Sequence, residues 1–216
     1  MKLVSAAKLA TLLFMLIAIA AGSKYAWDHR KPLFTHFTGQ KIVVDASRIP
    51  IPSPATKTQL TQFADSSPMI MGVNVIRVDF QQNTRATTFR YFKEPAVEEA
   101  WLAYLATIKA PTPLFGDEEG NNQRLVALIN GQFSCVRTLD TTAGRVIPTI
   151  NQHSLATCMA PIPPGYGDFV GFINIFLRSQ PTGAEIQELN GLTNQIAKDF
   201  YERDIVKSTQ KFTINQ

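Results

Sequence analysis

Residues 3–23 form an apolar stretch in which Lys8 is the only ionisable side chain. A helix rises about 1.5 Å per residue, so about 20 such residues cover the roughly 30 Å hydrocarbon core of a bilayer. Tyr25 and Trp27 follow the stretch, where aromatic side chains commonly meet lipid headgroups. The sequence therefore predicts an N-terminal transmembrane helix. Its defining positions are Leu3, Lys8, Leu9, Phe14, Leu16, Ala20, Gly22 and Ser23.

The same stretch also meets the requirements of a cleaved secretory signal peptide. It has a basic start at Lys2, a short apolar run at residues 9–21 and a small-x-small site at residues 18–20. We favour an uncleaved anchor because the long stem of Lys8 can carry its ammonium group back to the headgroups. The short N-terminal tail favours a cytoplasmic N-terminus with the bulk of the chain exported.

The formal net charge of +4 is confined to the N-terminal region. Residues 1–31 hold five of the 21 basic residues and one of the 17 acidic residues, so the rest of the chain carries 16 of each. Binding of nucleic acid requires a basic face on the folded domain, and a neutral body does not favour one. The basic residues near the membrane instead favour contact with lipid headgroups.

The two cysteines, Cys135 and Cys158, permit a single intramolecular pairing. In an exported domain, a bond between them would add a few kcal/mol of stability. In the cytosol, both would more often be small buried apolar residues. Their spacing matches no metal-ligand pattern.

The chain has room for one domain of ordinary size behind the anchor. We interpret residues 1–27 as a tail and transmembrane anchor and residues 28–53 as a juxtamembrane stalk, which ends in a proline-rich, extended run. Residues 54–204 form the predicted exported domain. Residues 205–216 form a polar C-terminal tail.

Alternating apolar residues predict strands at residues 72–80 and 85–92. Two later strands are predicted at residues 154–162 and 169–178. The last of these is apolar on both faces, which is typical of a central strand.

Capping signals predict three helices. Ser53 followed by Pro54 begins the first, Pro95 begins the second, and Thr182 with Glu185 has the spacing of a capping box for the last. The second helix has a predicted buried stripe of Val97, Trp101, Leu105 and Ile108.

Between these elements, residues 124–129 and 132–137 flank the dipeptide Asn130-Gly131. Asn-Gly readily adopts a type I′ turn, so this segment predicts a two-residue β-hairpin. Residues 141–152 are predicted to be irregular. The order of elements gives an α+β fold, a mostly antiparallel sheet with flanking helices.

The sequence offers no pattern of a metal or catalytic centre. The three histidines, His29, His36 and His153, stand in no ligand motif. His153 lies five residues before Cys158 and could pair with it as base and nucleophile. A histidine that opens a strand is more often structural, so we predict no catalytic residue, no metal and no cofactor.

Three further groups of residues are interpreted as structural. The glycines at positions 165, 167 and 171 lead into a strand, so they indicate a tight turn and not a dinucleotide loop. The acidic run is a solvated loop tip formed by Asp117, Glu118 and Glu119. The basic residues of the first two predicted strands could form a basic patch, but the neutral charge of the body favours scattered surface ion pairs. These residues are Arg77, Arg85, Arg90 and Lys93.

Residues 150–202 resemble the closing part of GAF and PAS-like domains, in which a strand, a short loop, a glycine-bearing central strand and a terminal helix follow in this order. The resemblance is carried by residues 153–158, 160–162 and 167–173 and by the helix after Thr182. With the single span added, the chain resembles the large-ectodomain, single-span holins of T-even and related phages. The residues that match this family are Cys158, Pro161, residues 169–171, Arg178 and residues 182–200.

The holin resemblance implies a protein that accumulates in the host inner membrane and opens lesions that release an endolysin. It further implies a homo-oligomer in the lipid bilayer, a periplasmic C-terminal domain and an antiholin that acts on that domain. In this family the second cysteine lies in the terminal helix, whereas here that helix has none. Any disulfide would therefore join Cys158 to Cys135.

Two other functions fit the same sequence. The first is a membrane-tethered ligand-binding or sensory domain, which would act through a partner because the predicted cytoplasmic tail is too short to carry an effector. The second is a secreted soluble domain whose signal peptide is removed.

Overall fold

The computed structural model describes residues 52–80, 82–108, 112–115, 119–165 and 169–206. The predicted transmembrane helix, most of the predicted stalk, Asp117 and Glu118 lie outside these ranges, and so does the side chain of Glu119. Within them, no helix has both the length and the apolar character needed to cross a membrane.

The described residues form six helices and six strands. The helices are α1 (Pro54–Asp65), α2 (Pro95–Thr107), α3 (Glu119–Ile129), α4 (Thr142–Val146), α5 (Pro148–His153) and α6 (Gly183–Phe200). The strands are β1 (Ile70–Asp79), β2 (Thr84–Phe92), β3 (Thr112–Pro113), β4 (Ser134–Arg137), β5 (Ala156–Ile162) and β6 (Gly171–Leu177). A 3₁₀ turn (Thr138–Asp140) follows β4, and a π-helical turn (Tyr201–Val206) follows α6.

The strands make one sheet in the order β3-β2-β1-β6-β5-β4, and each neighbouring pair is antiparallel. β1 and β6 occupy the centre, which confirms the central position predicted from the two apolar faces of the last strand. The predicted α+β class, an antiparallel sheet with flanking helices, is also confirmed.

Each face of the sheet is covered by different helices. On one face, α1 and α6 pack against alternate residues of the central strands. This core includes Leu60, Val73, Val75, Ile173, Ile175 and Ile196. On the other face, α3 covers one apolar cluster around Phe172, while α2 and α5 cover a second cluster around Phe176. The second face is therefore divided between two clusters.

Two of the predicted helix starts have their expected caps. The Ser53 hydroxyl accepts a hydrogen bond from the Thr56 backbone N–H at 3.3 Å, with Pro54 in the first turn. At α6, the Thr182 hydroxyl accepts from the Glu185 N–H, while the Glu185 carboxylate accepts from the Thr182 N–H. The capping box predicted from the spacing is confirmed.

The first and last described helices are joined by a buried carboxylate. Asp204 Oδ2 accepts from the Ser53 backbone N–H at 2.9 Å and from the Thr56 hydroxyl at 2.7 Å. Ile205 packs into the core of the same face, one residue beyond the predicted domain boundary at residue 204. The start of α1 and the turn after α6 therefore form one hydrogen-bonded unit.

The predicted hairpin around Asn130-Gly131 is wrong in its first arm, because residues 119–129 form α3. The helix buries Leu125 and Leu128, three residues apart, and leaves Val126 47% exposed. Gly131 has φ +75° and donates its N–H to the Leu128 carbonyl, while the Gln132 N–H donates to the Ala127 carbonyl. These two bonds form a Schellman motif, so the glycine ends a helix.

The prediction that residues 141–152 are irregular is also wrong, because this segment forms the short helices α4 and α5. The Thr141 hydroxyl caps α4 by accepting from the Gly144 N–H at 3.1 Å. Ile147 and Ile150 are buried against the sheet, which accounts for the helical turns in a segment with weak local signals.

Candidate ligand cavity

A cavity of about 450 Å³ lies on the face of the sheet opposite α1 and α6. The strands form its floor, and α2, α3 and the start of α4 form its walls. It lies between the two apolar clusters of that face, because its lining includes Phe172 from one cluster and Phe176 from the other. Its volume is within the range of roughly 300–1,000 Å³ that is usual for small-molecule sites.

The floor of the cavity is formed mainly by side chains of β5 and β6 that point to the same face. They alternate with residues that face α1 and α6, as the two-residue period of a strand requires. The floor residues of these strands are Thr157, Met159, Phe172, Asn174 and Phe176. Ile76 adds an apolar side chain from β1. Most of the floor is therefore apolar, with polar groups at two positions.

One wall is the stripe of α2 predicted to be buried. Val97 and Trp101 are buried as predicted, whereas Leu105 and Ile108 are only half-buried because they line the cavity. Trp101 also packs against Phe176, with ring centroids 6.1 Å apart in an edge-on arrangement. The stripe therefore contributes to the core at its start and to the cavity at its end.

The opposite wall is α3, whose Arg124 contacts oxygen atoms of α3 and of the 3₁₀ turn after β4. Arg124 Nη2 donates to the Asp140 backbone carbonyl at 2.8 Å and to Asn121 Oδ1. Asn121 Nδ2 in turn donates to Thr142 Oγ1 at 2.8 Å, which joins α3 to the start of α4. Arg124, Asn121 and Thr142 all line the cavity. This network fixes an arginine in the wall.

Asn174 is the polar group at the centre of the floor. It lies directly opposite Asn74 in the antiparallel pairing of β6 with β1, and its Nδ2 donates to Asn74 Oδ1 at 2.9 Å. Asn74 is 0% exposed, and its Nδ2 has no hydrogen-bond partner within the described part of the chain. A buried amide nitrogen without a hydrogen-bond partner lowers the stability of the fold. Packing alone therefore does not explain an asparagine at this position.

A buried cluster of hydroxyl groups holds the other polar floor residue. Thr138 Oγ1 lies 3.0 Å from Thr157 Oγ1 and 2.8 Å from Ser154 Oγ. Ser154 Oγ donates onward to backbone carbonyls at Ala156 and Leu177. The three hydroxyl groups are thus hydrogen-bonded to one another or to backbone carbonyls, and they hold Thr157 at the edge of the cavity floor.

The two cysteines lie on the opposite face of the sheet. Cys135 of β4 is directly opposite Cys158 of β5 in the strand register, and their sulfur atoms form a disulfide. Cys158 is 0% exposed and packs in the α1 and α6 core. Because its sulfur is bonded, Cys158 cannot serve as the nucleophile of a pair with His153.

The residues weighed as a basic patch are dispersed. Arg90 Nε forms an ion pair with Glu98 at 2.6 Å, and Lys93 Nζ donates to the Ser67 carbonyl at 2.8 Å. Burial lowers the pKa of Lys93 below that of an ordinary lysine. Arg85 instead lines the cavity from β2. Within the described ranges, no group of three or more His, Cys, Asp or Glu residues could hold a metal ion.

The sequence interpretation did not identify Asn74, Asn174 or Arg124 as site residues. A usable signal exists for the asparagines, because each interrupts an apolar strand at residues 73–76 or 172–176. A polar amide in the middle of a central strand is uncommon unless it has a partner. No comparable signal marks Arg124, since an arginine on a helix is usually a solvated surface residue.

No family model matches the chain, and no curated protein matches it in sequence. Among solved structures it is similar to the GAF domain of a two-component sensor histidine kinase from Bacillus halodurans, with 11% identity over 73% of this chain and 99% of that one (TM-score 0.49).

Two further solved structures are also similar to this chain. One is a GAF domain/HD domain protein from Geobacter sulfurreducens, with 14% identity over 66% of this chain and 88% of that one (TM-score 0.46). The other is the blue-light absorbing form of the Thermosynechococcus elongatus PixJ GAF domain, with 11% identity over 75% and 94% of the two chains (TM-score 0.45). None of these structures bears on the predicted holin family.

Proposed function

We propose that the folded domain is a ligand-binding module that takes a small molecule into the cavity. The supporting observation is a cavity of about 450 Å³ with an apolar lining and a polar anchor, Asn174, on a central strand. Small-molecule sites usually combine a mostly apolar lining with a few polar groups that fix orientation. The buried amide pair that Asn174 forms with Asn74 lowers the stability of the fold, and a role in ligand binding accounts for its presence.

The module acts as a sensor and not as an enzyme in this proposal. Ligand binding in the cavity is passed to a partner protein. The disulfide between Cys135 and Cys158 supports an exported domain, because such bonds persist in oxidising compartments. The apolar stretch at residues 3–23 supports tethering of the domain to a membrane.

Native mass spectrometry of the full chain in lipid nanodiscs tests this proposal. The wild type should retain a small molecule, or be stabilised thermally by members of a metabolite library. Thr87→Phe places a ring in the cavity and should abolish both effects, because Thr87 lines the cavity from β2 and lies opposite Ile76, another lining residue. Ala103→Phe adds the same ring at an exposed position of α2 and should leave both effects intact.

A wild-type protein that retains nothing, and that no compound in the library stabilises, would overturn the ligand-binding function. So would identical behaviour of Thr87→Phe and wild type when circular dichroism shows that both are folded.

The holin hypothesis stays a second candidate because of the apolar stretch at residues 3–23. It requires accumulation as a homo-oligomer in the inner membrane, with an antiholin acting on the exported domain. Induced expression in bacteria separates the two candidates. A holin collapses the membrane potential after a delay and permits lysis with a co-expressed endolysin, whereas a tethered sensor leaves the potential unchanged.

A further inference from the structure

We propose that the ligand of the cavity is a small aromatic compound that donates an N–H or O–H hydrogen bond to Oδ1 of Asn174. This inference rests on the proposed ligand-binding function and specifies the chemistry of the bound molecule. Asn174 lies at the centre of β6, and its side chain forms part of the cavity floor. The amide pair with Asn74 determines which polar atom of that side chain is left for a ligand.

The amide nitrogen of Asn174 is engaged within the protein, whereas its oxygen is not. Nδ2 donates to Asn74 Oδ1 at 2.9 Å, which orients the side chain. No residue of the described ranges donates a hydrogen bond to Oδ1 of Asn174, and this oxygen is not fully buried. An amide oxygen accepts hydrogen bonds and cannot donate them. Asn174 therefore offers an unpaired acceptor to the cavity.

The unpaired donor of the same amide pair is out of a ligand's reach. Asn74 Nδ2 has no hydrogen-bond partner in the part of the chain that the structure describes, but the atom is fully buried. Asn74 is also absent from the residues that line the cavity. The accessible unpaired atom of the pair is the Asn174 oxygen, so the pair favours a donor on the ligand over an acceptor.

Apolar side chains surround this oxygen on the floor. Phe172 and Phe176 lie two residues before and after Asn174 on the same face of β6, each about 7 Å away along the strand. Met159 is directly opposite Asn174 on β5. A ligand that fills the cavity replaces water at Oδ1 with these apolar surroundings. A compound without a donor would leave the acceptor unpaired there, so the site should discriminate against it.

The rest of the lining favours an aromatic ring. Trp101 meets Phe176 edge-on, with ring centroids 6.1 Å apart, and both side chains line the cavity together with Phe172. Leu125 adds aliphatic surface from α3. Aromatic side chains gain from offset or edge-on contact with a further ring. A ring that carries an N–H or O–H group can contact this aromatic surface and the Asn174 oxygen at once.

Shape-matched pairs of probes test the donor requirement. Indole and benzofuran have the same fused-ring shape, but only indole carries an N–H donor. Phenol and fluorobenzene make the same comparison with an O–H donor. Equilibrium dialysis of the full chain in nanodiscs, with empty nanodiscs in parallel, measures binding at a known free concentration and corrects for partition into lipid. The donor-bearing member of at least one pair should bind about tenfold more tightly or better.

Variants of the floor test whether Asn174 causes this preference. The double variant Asn74→Leu and Asn174→Leu removes the acceptor without leaving an unpaired amide, so the preference should fall below about threefold. The affinity for the donor-free probe should change little. Thr157→Val is the matched control, because this floor hydroxyl lies 3.0 Å from Thr138 Oγ1 inside the protein and its loss should keep the wild-type preference.

Asn174→Thr provides a second test if the double variant does not fold. A hydroxyl group donates as well as accepts, so it should also lower the preference for a donor-bearing probe.

Equal affinity of the wild type for the two members of both pairs would overturn the donor requirement and leave the ligand-binding function in place. An unchanged preference in the folded double variant, or in folded Asn174→Thr, would also overturn the proposal. Binding of none of the four probes at millimolar concentration overturns it as well, and the proposed function is then judged by the retained molecule in native mass spectrometry.

Discussion

Asn174 of β6 donates a 2.9 Å hydrogen bond from Nδ2 to Oδ1 of Asn74, its cross-strand neighbour on β1. The pair lies at the centre of the sheet, on the face that bears the cavity. Every other residue of β6 is buried and apolar or glycine, so the pair interrupts a core that would pack more simply without it. The pair lowers the stability of the fold, and it does so in the floor of the candidate site.

The amide pair gives a prediction that separates packing from binding. Asn174→Leu leaves the buried Asn74 without its partner and should lower the free energy of unfolding by about 1–3 kcal/mol. The double variant Asn74→Leu and Asn174→Leu removes both amides and should recover most of that loss. Urea unfolding of both variants and the wild type provides the measurement.

The double variant should also bind cavity ligands more weakly than the wild type despite its recovered stability. If the single and double variants are equally unstable, the amides do not depend on each other and this account of the floor is wrong.

The carboxylate of Asp204 gives a second prediction. Asp204→Ala leaves the Ser53 N–H and the fully buried Thr56 hydroxyl without their acceptor, so we expect a loss of about 2–3 kcal/mol in unfolding free energy. Asp199 also links α6 to α1 through Gln59, but in a more exposed setting. Asp199→Ala is the matched control and should cost less than about 1 kcal/mol. Equal losses would contradict the importance of burial at Asp204.

Reduction of the disulfide gives a third prediction. The bond between Cys135 and Cys158 spans 23 residues of sequence and constrains the unfolded chain, so reduction should cost about 3 kcal/mol of stability. Thermal unfolding with and without a phosphine reductant measures this effect. The variant Cys135→Ala with Cys158→Ala should unfold at one temperature under both conditions. A wild-type melting temperature that does not respond to the reductant would disprove the contribution.

The capping box of α6 predicts how stability depends on pH. The Thr182 N–H and hydroxyl donate to the Glu185 carboxylate, and these bonds hold the pKa of Glu185 below that of an ordinary glutamate. A lowered pKa in the folded state stabilises the protein above the ordinary glutamate pKa, and that contribution is lost as the pH falls through the folded-state pKa. Glu185→Gln should therefore destabilise at neutral pH, with a gap from the wild type that narrows on acidification.

Urea unfolding across the acidic range measures that gap, and Thr182→Ala provides the control. This variant removes the donor hydroxyl and should cost about 1 kcal/mol. Adding Glu185→Gln to it should have less effect than in the wild type. A gap that stays constant with pH would contradict the role of the Glu185 charge.

Much of the fold could be predicted where the sequence periodicity is long or the caps are explicit. The strand from Ile70 to Asp79 and the capping box at Thr182 are examples. The segment that became α3 was mispredicted because a short apolar run fits a buried strand or a helix equally well. Asn130-Gly131 did not resolve the choice, since glycine at positive φ serves both a hairpin turn and the end of a helix.

The cavity could not be predicted because it depends on tertiary arrangement. Arg85, Arg124 and Asn174 are far apart in the chain, and they meet only after β2, α3 and β6 have taken their places around the same face. Sequence order does not specify which helix covers which half of that face. The mid-strand asparagines were a local indication that the core was not purely apolar.

The link between Ser53 and Asp204 has a mechanical consequence. The polypeptide that precedes Ser53 enters the domain at a point already fastened to the turn after α6. Tension on an N-terminal tether would therefore load α1 and α6 together, on the side of the sheet away from the cavity. Conversely, a ligand that displaces the central strands would shift both attachment points at once.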